Sequence, residues 1–295
     1  MKTYLDCIPC FFKQALYSAR MSKASKKTQK AILEQLARTI QKISLKFSPP
    51  EMARIIHKQM YKLTKEYDPY KKVKLQSNKM ALKIFNKLKR KVSHSQDRLL
   101  MATELAIAGN IIDYGAKHSL SVDNELKKIL NYENKFIKKE GERLFNYQSF
   151  KRVLKRAKTI LYLADNAGET VFDRVLIEEI KKMDTKKEIV YAVKEKPAIN
   201  DALIEDALFC GIDKSAKVIS SGVDAPGTVL SLCSKEFLKL YRKADMVISK
   251  GQGNFEALSA VKRPIFFMFM AKCPVIAREV NCEIGNIILL FKGKK

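Results

Sequence analysis

Residues 159–170 read TILYLADNAGET: an apolar run, Thr159–Ala164, followed by Asp165-Asn166-Ala167-Gly168-Glu169 and then Thr170, where a helical pattern begins. A run of this length, ended by turn formers, is strand-sized. Its residues do not alternate between apolar and polar, so the strand is covered on both faces. It delivers a carboxylate and a carboxamide to its own carboxyl end.

The same unit recurs downstream. Apolar runs lie at Glu188–Val193, Lys217–Ser220, Met246–Ser249, Ile265–Met270 and Asn286–Phe291. Helical patterns lie between them at Thr170–Met183, Ile199–Cys210, Gly227–Arg242, Phe255–Val261 and Pro274–Val280. Strand–helix alternation with right-handed crossovers predicts an α/β fold: a three-layer αβα, doubly wound, mostly parallel, Rossmann-like sheet. Upstream, residues 10–24, 27–47, 50–67, 76–91 and 96–114 carry apolar residues at three-to-four spacing and predict helices, broken at Ser48-Pro49-Pro50 and Asp68-Pro69-Tyr70. We expect an all-helical domain over 1–150 and an α/β domain over 151–295.

The composition suits a folded chain: 295 residues, 46% hydrophobic and 30% charged, with a net charge of +26. Residues 1–100 hold 24 basic and 6 acidic residues, so most of the excess lies there. Six scattered cysteines do not make a disulfide framework. The N-terminal stretch has no apolar signal core, and the most apolar run, Ile265–Ala271, is too short to cross a bilayer. These features predict a soluble, reduced, cytoplasmic protein with no membrane partner.

In doubly wound sheets ligands bind beyond the carboxyl ends of the strands, and four loops there carry chemistry. After the first strand, Asp165, Asn166, Gly168 and Glu169 precede a helix whose free N–H groups attract anions; a plain helix cap also accounts for one such residue. After the second strand come Lys194 to Pro197 and then Asn200-Asp201, at or just inside the next helix. If the strands are neighbours, Asp201 meets Asp165 and Asn166, and three such oxygen donors suit a hard divalent cation; Asp/Asn oxygens tolerate several, among them Mn²⁺, Mg²⁺, Co²⁺ and Ni²⁺. After the third, Ser221, Gly222 and Gly227-Thr228 fit phosphate binding and an ordinary loop equally. After the fourth, Lys250-Gly251-Gln252-Gly253-Asn254-Phe255-Glu256 offers a cation and two glycines but lacks the third glycine of a dinucleotide fingerprint. A cation clamp facing a phosphate cradle is the layout for metal-assisted phosphoester hydrolysis, with a metal-activated water as nucleophile.

The strings Asp165-Asn166-Ala167-Gly168-Glu169, Asn200-Asp201 and Lys250-Gly251-Gln252-Gly253-Asn254-Phe255-Glu256 resemble the damage-control phosphatase family. Asp6-Cys7-Ile8-Pro9-Cys10, Ala108-Gly109-Asn110-Ile111-Ile112-Asp113 and Ala271-Lys272-Cys273-Pro274 resemble its prokaryotic, cysteine-bearing branch. The resemblance implies a divalent-metal-dependent phosphatase acting on small phosphorylated metabolites, including sugar phosphates, phosphopantetheine-like compounds and damaged metabolites. It implies Asp165, Asn166 and Asp201 as metal ligands and Lys250 as the phosphate-contacting catalytic lysine. Gly168, Glu169, Ser221, Gly222, Thr228, Gly251, Gly253, Asn254 and Glu256 complete the expected phosphate and substrate set. A carboxyl methyltransferase using S-adenosylmethionine is the alternative activity.

Other signals are weaker. Cys7-x-x-Cys10 lacks a second close pair for a zinc site, so buried free thiols are favoured over a metal or redox role. His57, His94 and His118 have no mutual ligand spacing and read as surface or packing residues. Asn110 and Asp113 share a helix face, fitting either the interdomain cleft or a buried pair. The basic first third reads as a solvated cationic face more readily than as a nucleic-acid site, since no recognised binding module accompanies it.

Overall fold

The computed structural model describes residues 1–109 and 143–293. Asn110, Asp113 and His118 lie outside them. Five helices come first: α1 (Cys7–Met21), α2 (Lys26–Lys42), α3 (Pro49–Thr64), α4 (Lys71–Ser93) and α5 (Arg98–Ala108). Local chemistry sets their starts. The Ser25 side chain accepts from Thr28 N–H, that of Asp97 accepts from Leu100 N–H, and Pro49 and Pro50 occupy the first turn of α3.

After α6 (Tyr147–Arg156) all six expected strands form: β1 (Thr159–Leu163), β2 (Glu188–Val193), β3 (Lys217–Ser220), β4 (Met246–Lys250), β5 (Ile265–Met270) and β6 (Ile287–Lys292). They make one sheet in the order β3-β2-β1-β4-β5-β6, parallel except for β6, which runs antiparallel to β5. The intervening helices are α7 (Glu169–Met183), α8 (Ile204–Phe209), α9 (Lys235–Lys243), α10 (Gln252–Leu258) and α11 (Pro274–Val280).

Strand β1 shows why its sequence is apolar throughout. Ile160 and Tyr162 enter one core, with Leu88 of α4, Leu105 of α5 and Leu176 of α7. Leu161 and Leu163 enter another, with Phe237 of α9, Phe255 of α10 and Ile276 of α11. The first core runs from α4 through α6 into the sheet, so the expected boundary at residue 150 falls inside α6 and the packing continues across it. Helices α1 to α3 keep a smaller core of their own, built on Phe11, Leu36, Ile56 and neighbours.

Two expected helices are much shorter than their patterns. Residues 199–203 are drawn away from α8 because Asp201 pairs with Asn166 in an isolated antiparallel bridge. Asp206, not Asp201, serves the α8 N-terminus by accepting from Leu203 N–H at 3.0 Å. Residues 221–234 form a loop with one short 3₁₀ turn (Leu230–Leu232), because Ser221, Gly222 and Thr228 are held by Val193, Ser234 and Asn254 rather than by the bonds of a helix of their own.

Candidate active site

Strand β1 pairs with β2 on one side and with β4 on the other. Chain direction across the sheet reverses at β1/β4, and the crevice for a ligand opens there. Leu163 stands opposite Ser249, so the residues following them, Asp165-Asn166 and Lys250-Gly251, share one rim.

The β2 loop is tied to this rim by backbone bonds. Ala202 N–H donates to Asp165 O at 2.8 Å, and Ala167 N–H donates to Asn200 O at 2.9 Å. With the Asn166–Asp201 bridge, these bring together all three expected metal ligands. The Asn166 amide nitrogen donates to Asp165 Oδ2 (3.0 Å) and to Glu169 Oε1 (2.7 Å), and its Oδ1 accepts no hydrogen bond among the described residues. Lys194 Nζ lies 3.2 Å from Asp201 Oδ2 and donates to Ala164 O at 3.3 Å. Burial, and then the Asp201 carboxylate, hold the Asp165 carboxyl above the ordinary carboxylate range; Lys272, Lys194 and Lys250 pull the other way. Gly251 makes room for this arrangement: at φ +83° a Cβ there would fall 2.0 Å from the Asp165 carboxyl carbon.

Asp165, Asn166 and Asp201 open onto a cleft of about 300 Å³. Its other walls are the start of α1 (Cys7, Cys10), the start of α3 (Pro50, Ala53), the start of α10 (Gly253, Glu256) and Lys272. Burial pushes the Glu256 carboxyl up to about 7, against the pull of a Gln252 hydrogen bond and of nearby cations. Gln252 sets this edge. Its Nε2 donates to Glu256 Oε1 at 2.9 Å, and its Oε1 accepts from Lys272 N–H at 3.0 Å.

Several expected site residues lie elsewhere. Lys250 does not line the cleft. It is 1% exposed, and its Nζ donates to Asp173 Oδ1 (2.6 Å) and Glu169 Oε2 (3.3 Å). A lysine in so dry a place requires carboxylate partners; Glu169 and Asp173, one helical turn apart on α7, provide them. Asp173 also accepts from the hydroxyls of Tyr162 (2.7 Å) and Tyr191 (2.8 Å), closing a buried network.

The first amide expected to greet an anion, Gly168 N–H, donates instead to Asn78 Oδ1 of α4 at 2.6 Å. Asn254 is fully buried. It gives Nδ2 to Ala164 O and Lys250 O, and its Oδ1 accepts from Thr228 N–H and Oγ. Ser221 bonds Val193 O, and Gly222 packs against Ser234. Gly253 lines the cleft, yet its lack of a side chain also admits Pro226 O, 2.2 Å from where a Cβ would stand. The third-strand loop is therefore a packing partner of the fourth, because backbone–backbone contact demands the same small residues as a phosphate cradle.

The residues that sequence reasoning missed are Asp173, Asn78, Lys194 and the cleft-lining lysine, Lys272. Asp173 had a signal: one turn after Glu169, it puts a second acid on the helix face that Leu176, Ile177 and Ile180 make apolar. Cys7 and Cys10 are free thiols, as expected, but they are not buried: Cys10 is exposed at the cleft and Cys7 half-buried. Desolvation raises both thiols, so their resting form is protonated.

The profile of the Damage-control phosphatase ARMT1-like domain matches residues 3–288 of this chain. The chain belongs to the damage-control phosphatase family. A Methanocaldococcus jannaschii protein described as uncharacterized, MJ0202, is 36% identical over 97% of this chain and 94% of its own. Damage-control phosphatase PH1575 of Pyrococcus horikoshii is 35% identical over 98% of both chains. The crystal structure of that DUF89 family protein superposes with a TM-score of 0.86, covering 98% of this chain and 99% of its own. A mouse 4'-phosphopantetheine phosphatase is 26% identical over 57% of this chain but only 23% of its own length. Family and named relatives support a phosphatase on this fold, and no described helix is long and apolar enough to cross a membrane.

The donor set suits a hard divalent ion. Among the described residues no three His, Cys, Asp or Glu side chains form a metal-holding group. Asp165, Asn166 and Asp201 offer instead two carboxylates and a carboxamide, the oxygen chemistry that a hard divalent ion takes.

Proposed function

We propose that this chain is a divalent-metal-dependent phosphatase that hydrolyses phosphomonoesters of small metabolites, with Asp165, Asn166 and Asp201 holding the ion. One observation carries the reading: the Asn166–Asp201 bridge joins three hard oxygen donors from the ends of β1 and β2 on one cleft wall, beside the β1/β4 switch point of the sheet. A divalent cation bound there would neutralise phosphoryl charge and lower the pKa of an attacking water.

The remaining chemistry falls to the chain itself. Lys272, exposed on the cleft, offers its ammonium to the phosphoryl oxygens. Glu256 has a carboxyl poised near neutrality and suits proton transfer at the ester or the water. Lys250 is a positioning residue. It holds Glu169, which receives the Asn166 amide nitrogen, and so leaves Asn166 Oδ1 toward the ion. The mouse relative's name points to phosphopantetheine among the metabolites within this class.

The test is phosphate release from p-nitrophenyl phosphate and a panel of metabolite phosphates with Mn²⁺, Mg²⁺, Co²⁺ or Ni²⁺. We expect activity with at least one ion, its loss in EDTA, and a drop of about 10³-fold or more in Asp165→Ala and Asp201→Ala. Full activity in Asp165→Ala, or in metal-free enzyme, refutes the assignment.

A further inference from the structure

A second cavity, of about 340 Å³, adjoins the cleft. It lies between the second half of α3, the α3–α4 connection and the β2 loop. Ile199 lines both spaces, and α3 runs past both, with Ala53 on the cleft and Arg54 on the cavity. Ile199 sits at φ +53°, a conformation that a β-branched residue adopts only when its surroundings force it. Such positions cluster where a ligand is clamped.

Most of the cavity surface is apolar and aromatic, from Met60, Pro197 and Tyr70 among others, while charged side chains such as Lys58, Glu66 and Lys196 also line it. At its lip Tyr61 and Tyr67 meet edge to face, ring centroids 6.1 Å apart, and both are exposed. His57 also lines it. Its Nε2 is shut off from solvent and has no hydrogen-bond partner among the described residues. Burial lowers its pKa to about 4, so the ring is neutral. Arg54 gives only its Nε–H, to Asp224, among the described residues, which leaves both guanidinium NH₂ groups for another partner.

We infer that this cavity seats the alcohol half of the substrate, and that the preferred esters are those of alcohols with an apolar or aromatic body and a hydrogen-bonding group at the far end, in reach of His57. The inference rests on the phosphatase reading above. The two spaces share a wall residue, so a phosphoryl group in the cleft leaves its ester oxygen facing the cavity. Most of the surface a bound alcohol would meet is carbon, from Met60, Pro197 and the tyrosine rings, so an apolar or aromatic body gains more there than a sugar, whose hydroxyls have mainly the charged side chains to turn to. An aromatic amide would stack on the rings and satisfy His57 Nε2.

The experiment compares 4-acetamidophenyl phosphate with glucose 6-phosphate on the Mn²⁺-loaded full chain, in the parent, His57→Leu and Tyr67→Ala. Calorimetric titration of the phosphate-free alcohol, 4-acetamidophenol, runs alongside. We expect the aryl ester to have a KM lower by about tenfold, and each variant to raise that KM several-fold while changing the KM for glucose 6-phosphate far less. The alcohol should bind at one site, and more weakly to both variants. Tyr67 is exposed, so its variant folds even if His57→Leu does not. Equal effects on the two esters, or alcohol binding indifferent to both variants, overturn the inference. Alcohol binding that responds to the variants without hydrolysis of any ester supports the cavity assignment and counts against the phosphatase reading alone.

Discussion

Two lysines near the cleft separate structure from chemistry. Lys250 is sealed between Glu169 and Asp173, whereas Lys272 stands exposed on the cleft wall. Removing one member of a buried pair leaves an uncompensated charge. Lys250→Met should therefore lower the unfolding free energy by about 3–5 kcal/mol, measured in urea. Lys272→Ala should leave stability within about 0.5 kcal/mol of the parent and raise KM for phosphate esters. The reverse pattern would restore Lys250 as the phosphate contact. Both lysines were visible in the sequence, but a strand-end lysine reads the same whether it turns toward a ligand or folds back under the sheet. The deciding residue, Asp173, is seventy-seven positions away in the chain. By contrast Asp165 and Asn166 were legible as rim residues, because the strand before them fixes where they emerge.

At the scale of elements, α5 holds a group that burial has made costly. Glu104 is buried, and that burial raises its carboxyl from 4.5 to about 7, with Lys91 opposing. The native state then binds more protons than the unfolded chain between those pH values, so this group withdraws stability as pH rises through the window. Glu104→Gln should be more stable than the parent at pH 8 by up to roughly 3 kcal/mol, with the difference vanishing near pH 4. Denaturant titrations at the two pH values check it. All six strands were legible from their apolar runs. The lengths of α8 and of the expected 227–242 helix were not, because periodicity does not register a tertiary bridge such as Asn166–Asp201 or the packing of Gly227 on Gly253.

The whole chain carries a net charge of +26, and the proposed substrates are anions. Cationic surroundings raise the encounter rate with phosphate esters, and salt screens that attraction over about 8–10 Å. We expect kcat/KM to fall as NaCl is raised from 20 to 300 mM while kcat stays constant; a flat profile would mean the charge serves another purpose. Charge asymmetry was plain in the sequence, but the sharing of one core between α4, α5 and the sheet was not, since nothing local records which helix face meets which strand.

If the proposed ion sits on Asn166 and Asp201, the bridge between them couples its loading to the order of one sheet edge. Chelation should quicken amide deuteration along residues 198–203 and at the β2–β3 edge while sparing β5 and β6, which makes the far half of the sheet an internal reference against which occupancy is read.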